Sequence, residues 1–407
     1  MGRDHLGRGS DAHGWEDSDV HVIIAPDCYT GTLTAPQAAA AMATGWGRTA
    51  PGDRLTCLPL SDGGPGFVDV LAESLDGEVH AVVTTDPLGR EVPGTILLTT
   101  GAGGRTAYVE SAQAAGLHLL APDERDPTRT TTTGVGTLVL AALDAGARRV
   151  VIGLGGSGTN DAGAGLLAAL GVGPTARLGQ GGLALGATTP DDVAGLDAAR
   201  DRLRGVDLVI ASDVDSPLLG LKGASAVFAP QKGASEEDAQ RLENALGHFA
   251  SVVARVRPPA RDLLTGALLK PEREPGAGAA GGLGYALHLL GARRVSGVEA
   301  VLDAVGFVDL VASADLVVTG EGSFDWQSLR GKVVVGVAEA AARVGVPVIA
   351  VPGRSLVGRR EAMTAGLSGV YAVAERPDQV AAALAEPAAR LADRTARVAR
   401  TWSPTAS

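Results

Sequence analysis

The feature that most constrains the fold of this chain is a glycine-dense segment at residues 148–170, which reads RRVVIGLGGSGTNDAGAGLLAAL. An apolar run precedes the glycines and a helix-forming run follows them, which predicts a strand, a loop and a helix in that order. Because glycine lacks a Cβ atom, such a loop lets backbone N–H groups approach an anion closely, and the N-terminus of the next helix favours negative charge. The segment therefore predicts a phosphate-binding loop.

Residues 153–158 of this segment also match the pattern G-x-G-x-x-G of dinucleotide-binding loops. In those loops an acidic residue that binds a ribose hydroxyl follows about 20 residues later, whereas residues 171–182 contain none. The pattern recurs at residues 276–281 with no strand pattern before it, and a chain with 57 glycines produces accidental matches. The dinucleotide interpretation is therefore the weaker of the two.

Composition limits the classes of function that remain. The 407 residues suit two domains of ordinary size, and the formal net charge of −11 argues against nucleic acid as the main partner, because phosphate backbones require clustered Lys and Arg. The two cysteines, Cys28 and Cys57, cannot form a disulfide framework and fit a reducing compartment. Residues 1–19 are polar and lack the apolar centre of a signal peptide, so we predict a disordered extension there. With no membrane-spanning run in the sequence, we expect a cytoplasmic protein.

Strand and helix patterns alternate at both ends of the chain. A strand pattern at residues 21–25 precedes a helix pattern that Thr34 caps and Pro36 begins, and the same alternation returns near the C-terminus. The sequence therefore predicts an α/β protein of two domains. One is a Rossmann-like parallel-sheet domain built from both chain ends, residues 20–85 and 293–403, and the other is an inserted α/β domain formed by residues 86–292.

Acidic residues follow several of the predicted strands, in loops that lead to helix patterns. In open α/β sheets, ligands bind at the carboxyl ends of strands, and carboxylates beside a phosphate loop can hold Mg²⁺ and accept a hydroxyl proton. Any one of these residues taken alone is typical of a helix cap or an Asx turn, but their repetition favours a shared site. The residues are Asp27, Asp62, Asp161, Asp213, Asp215, Glu321 and Asp325.

Three common types of site find no support in the sequence. Gly331 and Lys332 lack the Walker A glycine about five residues earlier and the Ser or Thr that should follow, which disfavours a P-loop kinase. The seven histidines show no metal-ligand spacing, which argues against zinc. The sequence contains no G-x-S-x-G motif, which argues against a hydrolase.

Seven blocks of the sequence, in order from about residue 20 to residue 353, resemble the motif series of the bacterial glycerate kinase family. This is the two-domain type that is sometimes called class II. The resemblance covers most of the chain, and seven ordered blocks make it specific. The blocks are residues 24–35, 60–66, 152–165, 211–217, 223–233, 275–284 and 319–332.

The resemblance implies transfer of a phosphoryl group from ATP, with Mg²⁺, to a hydroxyl of D-glycerate, most often giving 2-phosphoglycerate, in a cleft between two domains. On this basis we predict that Asp213, Asp62 and Lys332 are catalytic and that Asp213 and Asp215 are metal ligands, while the identity of the base stays open. The predicted substrate contacts are Asp27, Thr30, Asp62, Gly63, Gly64, Glu321 and Asp325. The predicted nucleotide contacts are Gly155, Gly156, Ser157, Thr159, Asn160, Asp161 and Lys232.

Three positions depart from the motifs of the family. Thr30 stands where a lysine is usual, Pro65 where a glutamate is usual, and Ser323 where an arginine is frequent. These departures keep two alternatives open: a kinase for another small hydroxy acid, and a ligand sensor that has lost activity. Retention of the acidic residues and of Lys332 argues against the sensor, because a binding module has no need of Mg²⁺ ligands. A homodimer also stays open.

Overall fold

The fold is given by a computed structural model, which describes residues 20–261 and 266–403. The predicted disordered extension, residues 1–19, lies outside the described residues. The strands are β1 His21–Ile24, β2 Arg54–Cys57, β3 Gly77–Thr85, β4 Glu91–Gly101, β5 Gly104–Glu110, β6 Arg149–Gly153, β7 Asp207–Ala211, β8 Arg293–Val295, β9 Leu316–Thr319, β10 Ser323–Phe324, β11 Val348–Ala350, β12 Arg354–Ser355 and β13 Gly369–Val370.

The helices cover both sheets and differ widely in length. They are α1 Ala35–Gly47, α2 Phe67–Ser74, α3 Ala112–Ala115, α4 Thr133–Asp144, α5 Ala164–Ala169, α6 Thr175–Leu178, α7 Leu196–Arg202, α8 Ala224–Phe228, α9 Glu236–Val256, α10 Ala279–Leu289, α11 Gly297–Ala304, α12 Phe307–Val311, α13 Val333–Ala342, α14 Arg359–Thr364, α15 Val380–Ala385 and α16 Pro387–Trp402. Within the described ranges, none of these helices has both the length and the hydropathy that a membrane crossing requires.

The first sheet is parallel and is formed by both ends of the chain. Its strand order is β13-β11-β9-β1-β2, and every pairing in it is parallel. The three inner strands are buried along their whole length, as expected for a parallel sheet that helices cover on both faces. Helix α1 begins as predicted, because the Thr34 hydroxyl accepts a hydrogen bond from the N–H of Gln37 and the Gln37 side chain accepts one from the N–H of Thr34.

The second sheet has the order β3-β4-β5-β6-β7-β8 and is mixed. Strands β3, β4 and β5 are antiparallel, because only short turns join them, whereas β5 to β8 are parallel. Strand β3 pairs along its length with β4, and β8 pairs with β7. Residues 77–85 and 293–295, which the predicted boundaries place in the first domain, thus belong to the second sheet. The domain boundaries themselves stay a prediction.

One hydrophobic cluster joins the two sheets. It contains Ile23 and Val317 from the first sheet, and Val151 and Val209 from the second, with the apolar faces of α2, α11 and α13 between them. Phe67 at the start of α2 packs edge-to-face on Tyr108 of β5, with ring centroids 6.2 Å apart. The shared core fixes the two sheets relative to each other, and with them the loops at their carboxyl ends.

Candidate active site

A cavity of about 620 Å³ is formed by loops at the carboxyl ends of β1, β2, β6, β9 and β11. Both sheets contribute to it, as expected for the ligand site of α/β sheets. Six of the seven predicted substrate contacts line it, whereas Gly63 is buried and does not. The six are Asp27, Thr30, Asp62, Gly64, Glu321 and Asp325.

Three carboxyl groups of the cavity influence one another. Burial, together with the negative charge of Asp62, raises the pKa of Asp27 to about 8, although the N–H of Cys28 donates a hydrogen bond of 2.6 Å to its carboxylate. Burial also raises the pKa of Glu321 to about 7, although a hydrogen bond from Ser328 and the positive charge of Lys332 oppose this rise. Burial therefore favours the protonated form of Asp27 at neutral pH and brings the titration of Glu321 close to neutral pH.

Asp213 lies beside this group but does not line the cavity. The N–H of Gly297 donates a 3.0 Å hydrogen bond to its Oδ1, and its Oδ2 is buried without a hydrogen-bond partner among the described residues. Burial raises the pKa of Asp213 to about 6, and the charge of Asp62 contributes to this rise. A side chain at position 297 would collide with the Asp62 carbonyl at 1.8 Å and approach Asp213 Oδ2 at 3.3 Å. Asp213 thus stands directly behind Asp62.

Asp215, the second predicted metal ligand, has a different partner. Its side chain is 80% exposed and pairs with the Arg294 guanidinium at 2.7 Å. Within the described ranges, no three acidic, histidine or cysteine side chains come together in a way that could hold a metal ion. The structure therefore favours Asp213 over Asp215 as a metal ligand, and the metal roles of both residues stay predictions.

The glycine-dense loop contacts the loop that follows β2, and this close contact explains several of its glycines. A Cβ atom on Gly153 would lie 2.5 Å from the Gly63 carbonyl oxygen, and one on Gly155 would lie 2.5 Å from Gly64 Cα. Gly155 and Gly156 line the cavity, and their N–H groups form no hydrogen bond within the part of the chain that the structure describes. These two N–H groups remain available for an anion.

We expect Gly155→Ala to lower the free energy of unfolding by about 1–3 kcal/mol, because the new methyl group would push the two loops apart. Thermal unfolding measures this change. Gly47→Ala is the matched control: Gly47 ends α1, and a Cβ atom added there would meet no other atom within 4 Å, so the same substitution should be neutral or stabilising by up to about 1 kcal/mol. Equal unfolding temperatures for Gly155→Ala and wild type would contradict the packing argument.

The remaining predicted nucleotide contacts are buried behind the loop rather than exposed to the cavity. Asp161 accepts hydrogen bonds from the N–H groups of Thr132, Gly163 and Gly165, and so ties the start of α5 to that of α4. These backbone groups occupy the Asp161 oxygens, and direct contact of Asp161 with a nucleotide stays a prediction. Ser157, Thr159 and Asn160 are buried as well, and Asn160 donates a 2.9 Å hydrogen bond to Ser225.

Lys232 supports the loop from inside the protein. Its Nζ donates hydrogen bonds to the Ser157 hydroxyl at 2.8 Å and to the Thr159 carbonyl at 2.7 Å, and the residue is only 2% exposed. Burial lowers the pKa of Lys232 to about 7, although the charge of Asp161 opposes this change. Its geometry is that of a loop support, and direct contact with a nucleotide stays a prediction.

Lys232 should make stability depend on pH. Above pH 7 the folded protein loses the Lys232 proton, whereas the unfolded chain keeps it up to the ordinary value of 10.5, so stability should rise with pH between these values. Compared with Lys232→Met, the wild type should therefore gain up to about 1.4 kcal/mol per pH unit over this window. Denaturant unfolding at several pH values measures the difference, and a difference that stays constant with pH would contradict a lowered pKa.

Sequence reasoning missed two parts of the cavity wall. The first is Arg354, which lines the cavity. It follows β11 and Gly353, just as the predicted acidic residues follow their own strands, and this position in the sequence was the available signal. The second is an apolar wall from the C-terminal region, which includes Val380, Leu384 and Leu391. Nothing in that stretch distinguishes a cavity wall from an ordinary helix face. Lys332 lines the cavity, and its predicted catalytic role stays a prediction.

Comparisons with known proteins agree on one family. The sequence model of the glycerate kinase family matches residues 22–403. The chain is 42% identical over 382 residues to the glycerate kinase of Bacillus subtilis (strain 168), which covers 92% of this chain and 96% of the relative. It is 39% identical over 338 residues to the glycerate 2-kinase of Escherichia coli (strain K12), covering 82% of this chain and 84% of the relative. A crystal structure described as glycerate kinase 2 from Salmonella typhimurium LT2 has a TM-score of 0.74 at 38% identity, covering 95% of this chain and 98% of that one.

Proposed function

The chain belongs to the glycerate kinase family, and we propose that it transfers the γ-phosphoryl group of ATP to the 2-hydroxyl of D-glycerate. The observation that carries this proposal is the cavity itself. It combines four carboxyl side chains, a lysine and two free N–H groups at the carboxyl ends of strands from both sheets. Phosphoryl transfer requires such a combination, because the protein must position two anionic reactants, accept a hydroxyl proton and offset charge.

Asp62 is the residue that we propose as acceptor of the hydroxyl proton. Its charge contributes to raising the pKa of three neighbours, Asp27, Asp213 and Glu321. A proton held by Asp27 at neutral pH has two consequences. It lowers the negative charge that an incoming acid meets, and it gives Asp27 an O–H that can donate a hydrogen bond to the acceptor. A carboxylate beside a protonated Asp27 can thus serve as base with less repulsion of an anionic acceptor.

Lys332 and the free N–H groups of Gly155 and Gly156 are proposed to contact the phosphates. Lys332 is the residue before α13, and its charge opposes the rise in the pKa of Glu321. Its positive charge is therefore close to the carboxyl cluster, which consists of Asp27, Asp62 and Glu321. The free N–H groups belong to the loop after β6, on the side of the second sheet. Backbone donors and one lysine together can stabilise negative charge on a transferring phosphoryl group.

The residues present fit a magnesium ion in the chemistry of their donor atoms. Glu321 Oε1 and Asp213 Oδ2 are buried oxygen atoms that have no hydrogen-bond partner within the described ranges. Mg²⁺ is usually held by one or two carboxylates together with phosphate and water oxygens, so a larger acidic cluster is not required. When bound, the ion neutralises phosphate charge. We propose that Asp213 and Glu321 hold it.

The direct test is ADP release by the wild-type protein with ATP and a panel of hydroxy acids, with and without Mg²⁺. The proposal predicts Mg²⁺-dependent release with D-glycerate. Release with another acid alone would favour a different acceptor, and no release with any acceptor would favour a ligand sensor. Asp213→Asn should lower the turnover, and unchanged turnover would show that Asp213 is wrongly assigned.

One observation favours another hydroxy acid as a second candidate acceptor. The three positions that depart from the family motifs, Thr30, Pro65 and Ser323, all line the cavity. The departures therefore alter the surface that meets the acceptor rather than a remote part of the fold. A homodimer and a cytoplasmic location stay predictions.

A further inference from the structure

Arg354 is a cation of the cavity wall to which neither the sequence nor the proposed chemistry gives a role. Its backbone is fixed beside the carboxyl cluster by the pairing of β10 with β12. In this ladder the N–H of Gly353 donates to the Glu321 carbonyl at 2.9 Å, and the N–H of Arg354 donates to the Gly322 carbonyl at 3.2 Å. The start of the Arg354 side chain is therefore held at a defined place next to Glu321.

The guanidinium group is oriented but not neutralised. Its Nε donates a 3.1 Å hydrogen bond to the Ser323 hydroxyl, and the side chain is exposed to the cavity. Four carboxyl side chains line the same cavity, yet Arg354 forms no ion pair with any acidic residue that the structure describes. Because Nε is bound to a neutral hydroxyl, the two terminal nitrogens of the guanidinium group, which form a fork of N–H donors, remain for a ligand. Such a fork matches the two oxygens of a carboxylate or phosphate.

We propose that Arg354 binds the carboxylate of the acceptor acid and so sets the preference for an anionic acceptor. The inference rests on the proposed function. The free N–H groups proposed for phosphate follow β6 in the second sheet, whereas Arg354 follows β11 in the first sheet. In a phosphoryl transfer the attacking oxygen of the acceptor and the leaving oxygen of the nucleotide lie on opposite sides of the transferring phosphorus. With the nucleotide phosphates at the N–H groups of Gly155 and Gly156, the guanidinium of Arg354 on the other sheet remains for the carboxylate of the acceptor.

The experiment compares wild type, Arg354→Gln and Arg354→Lys. Titration calorimetry with D-glycerate measures binding without turnover, and steady-state kinetics give KM for D-glycerate and for ATP. The uncharged amide of glycerate serves as a second acceptor. Arg359→Gln is the matched control, because Arg359 is an exposed arginine at the start of α14 that does not line the cavity.

Arg354→Gln should weaken D-glycerate binding and raise its KM about 10–100-fold, with KM for ATP and the kinetics of the amide close to wild type. Arg354→Lys should restore part of the loss, because lysine keeps the charge but not the fork. Unchanged glycerate binding in Arg354→Gln would overturn the inference, as would a selective rise in KM for ATP, which would assign Arg354 to phosphate. A wild type that binds D-glycerate through Arg354 but releases no ADP would refute the proposed function alone.

Discussion

Asp62→Asn is expected to lower kcat by about two to four orders of magnitude, the range that removal of a positioned general base commonly costs. Asp62 follows β2 and lines the cavity, and its charge contributes to the raised pKa of each of three neighbouring carboxyls. Asparagine keeps the oxygen that accepts a 3.1 Å hydrogen bond from the N–H of Gly64. The local turn should therefore survive while the proton acceptor is lost.

Two further variants separate this effect from a general loss of charge. Asp69→Asn is the matched control, because Asp69 is an exposed residue of α2 outside the cavity, and its kcat should equal that of wild type. Asp27→Asn should cost far less than Asp62→Asn at pH 7, because Asp27, with a pKa of about 8, already holds a proton there. A kcat for Asp62→Asn within threefold of wild type, at about the scale of ordinary surface changes, would contradict its role as base.

Lys332→Met is expected to lower kcat/KM by about 10²–10³-fold, as expected when one preorganised donor to a developing anion is removed. Lys332 lines the cavity and is half-buried, and its charge lowers the pKa of Glu321. Its removal should therefore also raise the pKa of Glu321. Values of kcat/KM measured from pH 6 to 8 would detect both the loss of activity and the raised pKa, since Glu321 would keep its proton to higher pH.

Lys222→Met provides the comparison for this variant. Lys222 is exposed, lies in a glycine-bearing stretch like Lys332, and does not line the cavity. The substitution removes the same charge from the protein as a whole but none from the site. Equal kinetics for Lys332→Met and Lys222→Met would contradict the assignment of Lys332 to the phosphoryl group.

The α/β fold could be predicted because its signals are local. Alternating strand and helix patterns and the cap at Thr34 appear in short windows of sequence, and the predicted fold class is confirmed. The placement of acidic residues after strands predicted that their loops would meet, and Asp27, Asp62 and Glu321 do line one cavity. The strand β3 could not be assigned to its sheet, because only its pairing with β4 decides which domain it joins.

Burial explains what the sequence could not predict about the site. Asp161 and Lys232 carry charges that are typical of ligand contacts, but long-range packing buries both of them behind the loop. The glycines at 153 and 155 fit a phosphate loop by pattern, yet both are also required by the close approach of residues 63–64. Arg354 was missed because its place after Gly353 does not by itself distinguish it among 31 arginines, and its contact with Ser323 becomes visible only in the fold.

Proton-coupled phosphorus NMR of the reaction products tests whether this chain phosphorylates the 2-hydroxyl of D-glycerate with ATP. An ester at C2 has one proton on the adjacent carbon and gives a doublet, whereas an ester at C3 has two and gives a triplet. We expect a Mg²⁺-dependent doublet that grows as the ATP signals convert to ADP, and that grows about two to four orders of magnitude more slowly with Asp62→Asn. A triplet, or ADP with only inorganic phosphate, would contradict this expectation.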